Sequence, residues 1–269
     1  DVKRSVLDNA ETIILSKKEG VATITLNRPG VRNAMDLHMI REIGSTVRML
    51  DNDRGTRLII FNSTGDHFCS GADLKWMQAG QNQTEDQLRS ESLELAKLFR
   101  YIWESTAVTI CSVKGHIPGG AIGLLAASDL VVAERSVILA FPEVKLGLVP
   151  VTIAPYVLRK AGFIRASEWM MTGRPISAIE AMEAGLIQRI CDEGSLEECT
   201  GMLARELLSG GPHALKAVKQ LLRNLEGMTD PEEVDRYTSR LIAGLRVSPE
   251  GQEGMKAFFE KRKPGWDEG

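Results

Sequence analysis

The residues able to do chemistry lie in two glycine-bearing loops and one later carboxylate. The loops are HFCSGADL, residues 67–74, and GHIPGGAIG, residues 115–123. Each follows a β-rich apolar run, RLIIFNS for the first and AVTICSV for the second, and each leads into a helical pattern. The first N–H groups of a helix have no intrahelical acceptor, and glycine lets a ligand come close to such an amide. Two amides from separate loops can converge on one developing oxyanion, which is how an enolate is stabilised electrostatically. The carboxylate is Glu143 in FPEVKLG, set between Phe141 and Val144. Partial burial there would raise its pKa toward the range useful for acid–base work. Read alone, each loop also fits a tight turn built from small residues, and Glu143 also fits a surface residue capping a turn.

Other chemistries find little support. There is no G-x-S-x-G, P-loop or H-E-x-x-H, and PGGAIG does not fit the dinucleotide-binding G-x-G-x-x-G. The four histidines, His38, His67, His116 and His213, are scattered. Cys69, Cys111, Cys191 and Cys199 form no C-x-x-C and read as small core residues of a reducing compartment, so no metal is expected. A net charge of −3 gives no global positive field, and no nucleic-acid partner is expected. No apolar run approaches the roughly 20 residues that span a bilayer, and the start lacks a signal-peptide pattern. No membrane partner is expected, and a cytoplasmic location is.

These loops need elements to hold them. Residues 10–27 read as a hairpin about the turn SKKEG, and 37–53 as a helix with an apolar stripe of Leu37, Ile40, Ile43, Val47 and Leu50. Residues 57–63 and 107–115 read as buried strands, with an amphipathic helix over 87–105 between them. The run after Gly120 reads as a buried helix entered at its glycines. Helices are also expected around IAPYVLRKAG and RASEWMMTG. This alternation indicates an α/β class with covered sheet faces. From about residue 196 only helical patterns remain, which divides the chain into a core, 1–195, and a helical region, 196–269.

Six stretches carry a resemblance in their order and spacing: LNRPGVRNAM, HFCSGADL, GHIPGGAIGLLAASDLVVA, FPEVKLGLVP, MTGRPISAIEAMEAGLI and FFEKRKPGW. Together they cover nearly the whole chain, which resembles the crotonase, or enoyl-CoA hydratase/isomerase, family. The resemblance implies a spiral of ββα units with two near-perpendicular sheets and a C-terminal helical region that makes trimers, often paired into hexamers. It implies acyl-CoA thioester substrates with no separate cofactor, since coenzyme A is part of the substrate. Carried over by position, it makes the N–H groups of Ala72 and Gly120 the oxyanion hole and Glu143 the acid–base residue. It places Arg28, Ser70, Gly71, Asp73, Lys75 and Gly119 at the CoA site, joined by the tail residues Phe258 and Lys261. DLKWM and GLVPVTIAPYVLRKAG look most like bacterial branched-chain members, the methylglutaconyl-CoA type of hydratase.

One departure bears on the chemistry. Well-known hydratases of this family use two glutamates, and the first position is Gly123 here. A single glutamate is what the family's double-bond isomerases use, while its hydroxycinnamoyl-CoA hydratase-lyases also work with one. The expectation is hydration of a branched 2-enoyl-CoA, with isomerisation of a 3-enoyl-CoA as the alternative. A weakly catalytic or non-catalytic acyl-CoA binder is the alternative from another class. Glu91 and Glu94 are candidates to help hold water, though they also fit a solvated helix face. Asp129 is expected to be structural.

Overall fold

The computed structural model describes residues 11–267. The first residues, read above for a signal pattern, fall outside that range as far as residue 10. The chain forms two compact units, one running to Gly201 and one from Met202.

The first unit opens with the hairpin β1 (Ile13–Lys18) and β2 (Val21–Leu26). Its turn is only Glu19 and Gly20, with φ of 48° and 80°. Both residues are left-handed, as a two-residue hairpin turn requires, and the strands absorb the rest of SKKEG. Next come α1 (Leu37–Asp51), β3 (Leu58–Ser63), the short α2 (Leu74–Ala79) and α3 (Glu85–Glu104). Helix α1 buries Ile40, Ile43, Val47 and Leu50 from the stripe read in its sequence. The start of α3 is fixed by a reciprocal capping box between Thr84 and Gln87.

Strand β4 (Val108–Val113) is buried at all six positions, as a strand with both faces covered must be. The run after it is more broken than its composition suggests. β5 (His116–Pro118) leads to a 3-10 turn over Gly119–Ala121, a helix α4 of six residues (Ile122–Ala127), and β6 (Leu130–Glu134). The long buried helix expected here is therefore one short helix plus a strand. Ser128, extended at ψ 155°, ends the helix, and Asp129 accepts hydrogen bonds from Thr109 N–H and Oγ1, tying the corner to β4. Asp129 is structural, as expected.

The unit is completed by β7 (Ile138–Ala140), α5 (Ala154–Thr172), β8 (Pro175–Ser177), α6 (Ala178–Glu183), β9 (Arg189–Cys191) and the first part of α7 (Leu196–Leu208). Gly162, at φ 71° and ψ 168°, breaks α5 between the two helical segments read separately in the sequence.

Two sheets result. The larger runs β1-β2-β3-β4-β6-β9, antiparallel only at the opening hairpin, and the smaller runs β5-β7-β8. The chain passes from β4 in the large sheet to β5 in the small one, and again from β6 to β7. Each passage turns the chain at one end of the large sheet, which is where the glycine loop 115–123 lies. The core between the layers is apolar and closely packed, centred on Phe61, Phe68, Phe99, Phe141 and Trp169.

In the second unit α8 (Pro212–Glu226), α9 (Pro231–Val247) and α10 (Pro249–Glu260) follow one another. The Glu250 carboxylate accepts from the His213 and Ala214 amides, so α10 caps the start of α8. The unit is helical, and its boundary falls inside α7.

Candidate active site

The first loop is shaped by one isolated bridge. Met35 donates its N–H to Gly71 O and accepts from Asp73 N–H, which pairs Met35 with Ala72 in parallel fashion. In such a bridge the residue opposite turns its own N–H the other way. The Ala72 amide therefore points off the bridge, and it meets no acceptor among the described residues.

The second loop lies against the first. Gly71 has φ 91°, and a Cβ there would sit 3.0 Å from Pro118 O, so only glycine allows this approach. Gly119, at φ 56°, comes next, and a Cβ on it would lie 3.1 Å from Glu143 Oε1. Gly120 has ordinary φ, and the space beside its Cα holds Leu95 Cδ2 and Met35 Cε, each at 3.9 Å from a built Cβ. Its amide also has no acceptor among the described residues. Residues far apart in sequence thus meet in a contact series from Gly71 through Pro118 and Gly119 to Glu143.

Glu143 stands on a 3-10 turn, Pro142–Leu146, closed by Gly147 in the left-handed conformation. It is half-buried, and its Oε2 is shielded from solvent with no hydrogen-bond partner. Burial pushes its pKa above the usual carboxylate value, offset in part by its own backbone amide. A carboxyl so placed can hold and release a proton nearer neutrality than an exposed one.

The site has one carboxylate where a pair was conceivable. Position 123 is enclosed by Phe99: a Cβ on Gly123 would lie 2.6 Å from both Phe99 Cε1 and Cε2. The other candidates are engaged. Glu91 accepts from Trp76 Nε1 at 2.6 Å and Gln83 Nε2 at 2.7 Å, joining α3 to α2 and to the segment after it. Glu94 pairs with Lys97 at 2.8 Å along α3.

Of the residues placed at the CoA site by resemblance, several have internal work. Arg28 Nη1 donates to Ala34 O at 2.6 Å, and Nη2 reaches Asp73 Oδ2 at 3.0 Å and Asp36 Oδ2 at 3.1 Å. It is a paired cation within the loop framework rather than one displayed to a ligand. Asp73 is buried and caps α2 through Oδ1, which accepts from Lys75 N–H and Trp76 N–H. Burial alone would raise its pKa, but those amides and Arg28 outweigh it and hold the carboxyl below its usual value. Ser70 donates to Val31 O and bonds Arg32 O through its amide. Lys75 is exposed on α2. Phe258 and Lys261 belong to the second unit: Phe258 is 78 % exposed on α10, and Lys261 ends that helix in the left-handed conformation.

Three of the four thiols are inert. Burial pushes Cys69, Cys111 and Cys191 up to about 12, so none supplies a thiolate near neutrality. Among the described residues no helix is long and apolar enough to cross a membrane.

Sequence reading missed two contributors, Phe99 and Pro118. Phe99 had a signal in retrospect: Leu95 and Phe99 stand four apart on α3, opposite Gly120 and Gly123, large residues facing small ones.

The α/β fold thus sets two glycine loops beside one partly buried carboxylate, Glu143. Residues 16–269 match the enoyl-CoA hydratase/isomerase family, and the chain belongs to it. A crystal structure from Legionella pneumophila, of the enoyl-CoA hydratase/isomerase (crotonase) type, is 38% identical with a TM-score of 0.91, covering 95% of this chain and 98% of that one. The fold is thus the crotonase fold. Mevalonyl-coenzyme A hydratase of Aspergillus fumigatus is 30% identical over 91% of both chains. Trans-2-decenoyl-[acyl-carrier-protein] isomerase of Streptococcus mutans is 27% identical over 94% of this chain and 96% of its own.

Proposed function

We propose that the chain adds water to a 2-enoyl-CoA thioester whose acyl chain is branched. The observation that carries the reading is the pair of unengaged amides, Ala72 and Gly120, on adjoining loops beside one partly buried carboxylate, Glu143. The thioester oxygen accepts from both amides, which stabilise the negative charge it gains as the enolate forms. Glu143, ionised, takes a proton from water as the water oxygen attacks C3. The carboxylic acid so formed returns the proton to C2 as the enolate collapses, leaving Glu143 ready for another turnover. The mevalonyl group named for the Aspergillus relative is branched, which supports a branched acyl chain here.

A second reading, isomerisation of a 3-enoyl-CoA, is favoured by the filled space at position 123. There Glu143 would remove a proton from C2 and return it at C4, a shuttle that needs no water and no second carboxylate. Mass spectrometry of products separates the two. A gain of about 18 Da from 2-enoyl-CoA esters, the mass of one water required by general acid–base hydration, supports the first reading. Rapid conversion of 3-enoyl-CoA at constant mass, with no 2-enoyl ester hydrated, replaces it with the second.

We further read the chain as self-associating through its helical second unit. Val218, Leu222 and Ile242 are exposed there, and a cavity of about 790 Å³ is lined by Val218, Leu221, Leu241, Ile242 and Leu245, with Asp235, Arg236, Thr238 and Ser239 at its polar side.

A further inference from the structure

Arg28 joins the caps of two helices. Asp36 caps α1 by accepting Met39 N–H at Oδ1, and Asp73 caps α2 by accepting Lys75 N–H at Oδ1. In each carboxylate the second oxygen, Oδ2, faces the same guanidinium nitrogen, Arg28 Nη2. Nη1 of Arg28 meanwhile donates to Ala34 O. Ala34 and Asp36 flank Met35, and Asp73 follows Ala72, so the guanidinium grips both strands of the Met35–Ala72 bridge. The Arg28 side chain is only 22 % exposed and that of Asp73 only 9 %, which keeps solvent from screening the pair strongly. The loop is fixed behind Arg28 as well, since Asn33 Oδ1 accepts Arg28 N–H and Asn33 Nδ2 donates to Thr64 O and His67 O.

We infer that Arg28 is a positioning residue for catalysis: by clamping Asp36, Asp73 and Ala34, it sets the direction of the Ala72 amide toward the thioester oxygen. This rests on the acyl-thioester reading of the site. One bridge with two hydrogen bonds leaves a two-residue contact free to twist, and an amide must be aimed to stabilise charge that develops at one point. A planar guanidinium with fixed donor directions suits this work, and lysine does not reproduce it. The role differs from that of a cation binding CoA phosphate, because the charge is already answered by two carboxylates.

Three variants and four readouts test it. Arg28→Lys keeps charge but not the fork. Asp73→Asn and Asp36→Asn keep an Oδ1 cap, which asparagine supplies as well as aspartate, and remove the partner of Nη2. Each should lower kcat by roughly 10- to 100-fold, the scale of a misplaced catalytic donor, while the Kd of free CoA stays within about twofold. The absorbance red shift that a conjugated arylacryloyl-CoA shows when its carbonyl is polarised should shrink in each. Hydrogen exchange of ligand-free protein should speed up in peptides covering residues 33–36 and 71–74, with the sheet strands unchanged. A raised Kd for free CoA at unchanged kcat overturns the inference in favour of a phosphate-binding cation. Unchanged kcat and red shift, or unchanged exchange at those peptides, overturns it as well. If the unaltered protein itself gives no red shift, the acyl-thioester reading fails, and the exchange arm still decides whether the clamp orders the bridge.

Discussion

Phe99 fills the space that a side chain on Gly123 would need, with its Cε1 2.6 Å from where a Cβ would stand. The absence of a glutamate at that position is therefore built into the packing of α3 against α4. Gly123→Glu alone should fail to add catalytic power and should destabilise the fold, because it drives a carboxylate into an aromatic ring. Phe99→Ala alone should cost about 3–5 kcal/mol, as for a phenylalanine removed from a core. The double variant should be more stable than the sum of the single effects predicts. Chemical denaturation of the three variants checks this, and strict additivity would contradict the described contact.

Glu143→Gln should leave the fold and acyl-CoA binding intact and lower kcat by at least about 100-fold, the size of a general acid–base contribution. Steady-state kinetics with a binding isotherm measures both. Near-normal turnover would remove Glu143 from the mechanism.

The same carboxyl gives a pH dependence with a definite sign. Its folded pKa is raised by burial above the ordinary value of 4.5. Between the ordinary and the raised value the folded state binds more protons than the unfolded one, so stability declines as pH rises through that window. Glu143→Gln should therefore raise Tm at neutral pH, with the gain fading as pH falls from the raised value to 4.5 and gone below it. In the unaltered enzyme kcat/KM should fall on acidification through the raised pKa, where the base becomes protonated. Thermal melts and rate profiles over pH 4–8 test both arms.

Neighbouring glycines should respond differently. Gly120 has ordinary φ and room for a methyl group, so Gly120→Ala should fold normally and lose activity only through closer crowding of the thioester. Gly120→Pro removes the N–H itself and should cost about 10²- to 10³-fold in kcat. Gly119→Ala meets both a left-handed φ of 56° and the Glu143 oxygen, so it should lose stability as well as rate. Circular dichroism melts beside kinetics separate these outcomes, and full activity in the proline variant would refute the donor role.

The exposed apolar residues of α8 and α9 give a further expectation. Leu222→Asp with Ile242→Asp should shift the protein to a smaller species in light scattering without unfolding its helices. An unchanged mass would exclude this face as the contact.

Local signals explain what the sequence revealed. The hairpin shows as alternation around Glu-Gly, the stripe of α1 as helical spacing, and the two loops as glycine after a buried strand. The small sheet was illegible because β5, β7 and β8 have three residues each, too few for a period to show. Residue 123 is visibly a glycine, but the ring beside it comes from another helix. Arg28 reads as a loop cation of ordinary kind; its role depends on Asp73, 45 residues later, turning one carboxylate oxygen toward it. Glu143 was marked by its apolar neighbours, while its contact with Gly119 depends on the path between the two sheets.

Met35 touches both loops of the proposed oxyanion hole at once. Its backbone holds the strand that carries Ala72, and its Sδ-methyl end packs beside Gly120. One buried side chain thereby acts as a ruler between two donors that belong to different loops. Under the proposed chemistry, changing its length would retune the spacing of the two amides while leaving each amide itself untouched, so polarisation of the thioester would be adjusted from inside the core.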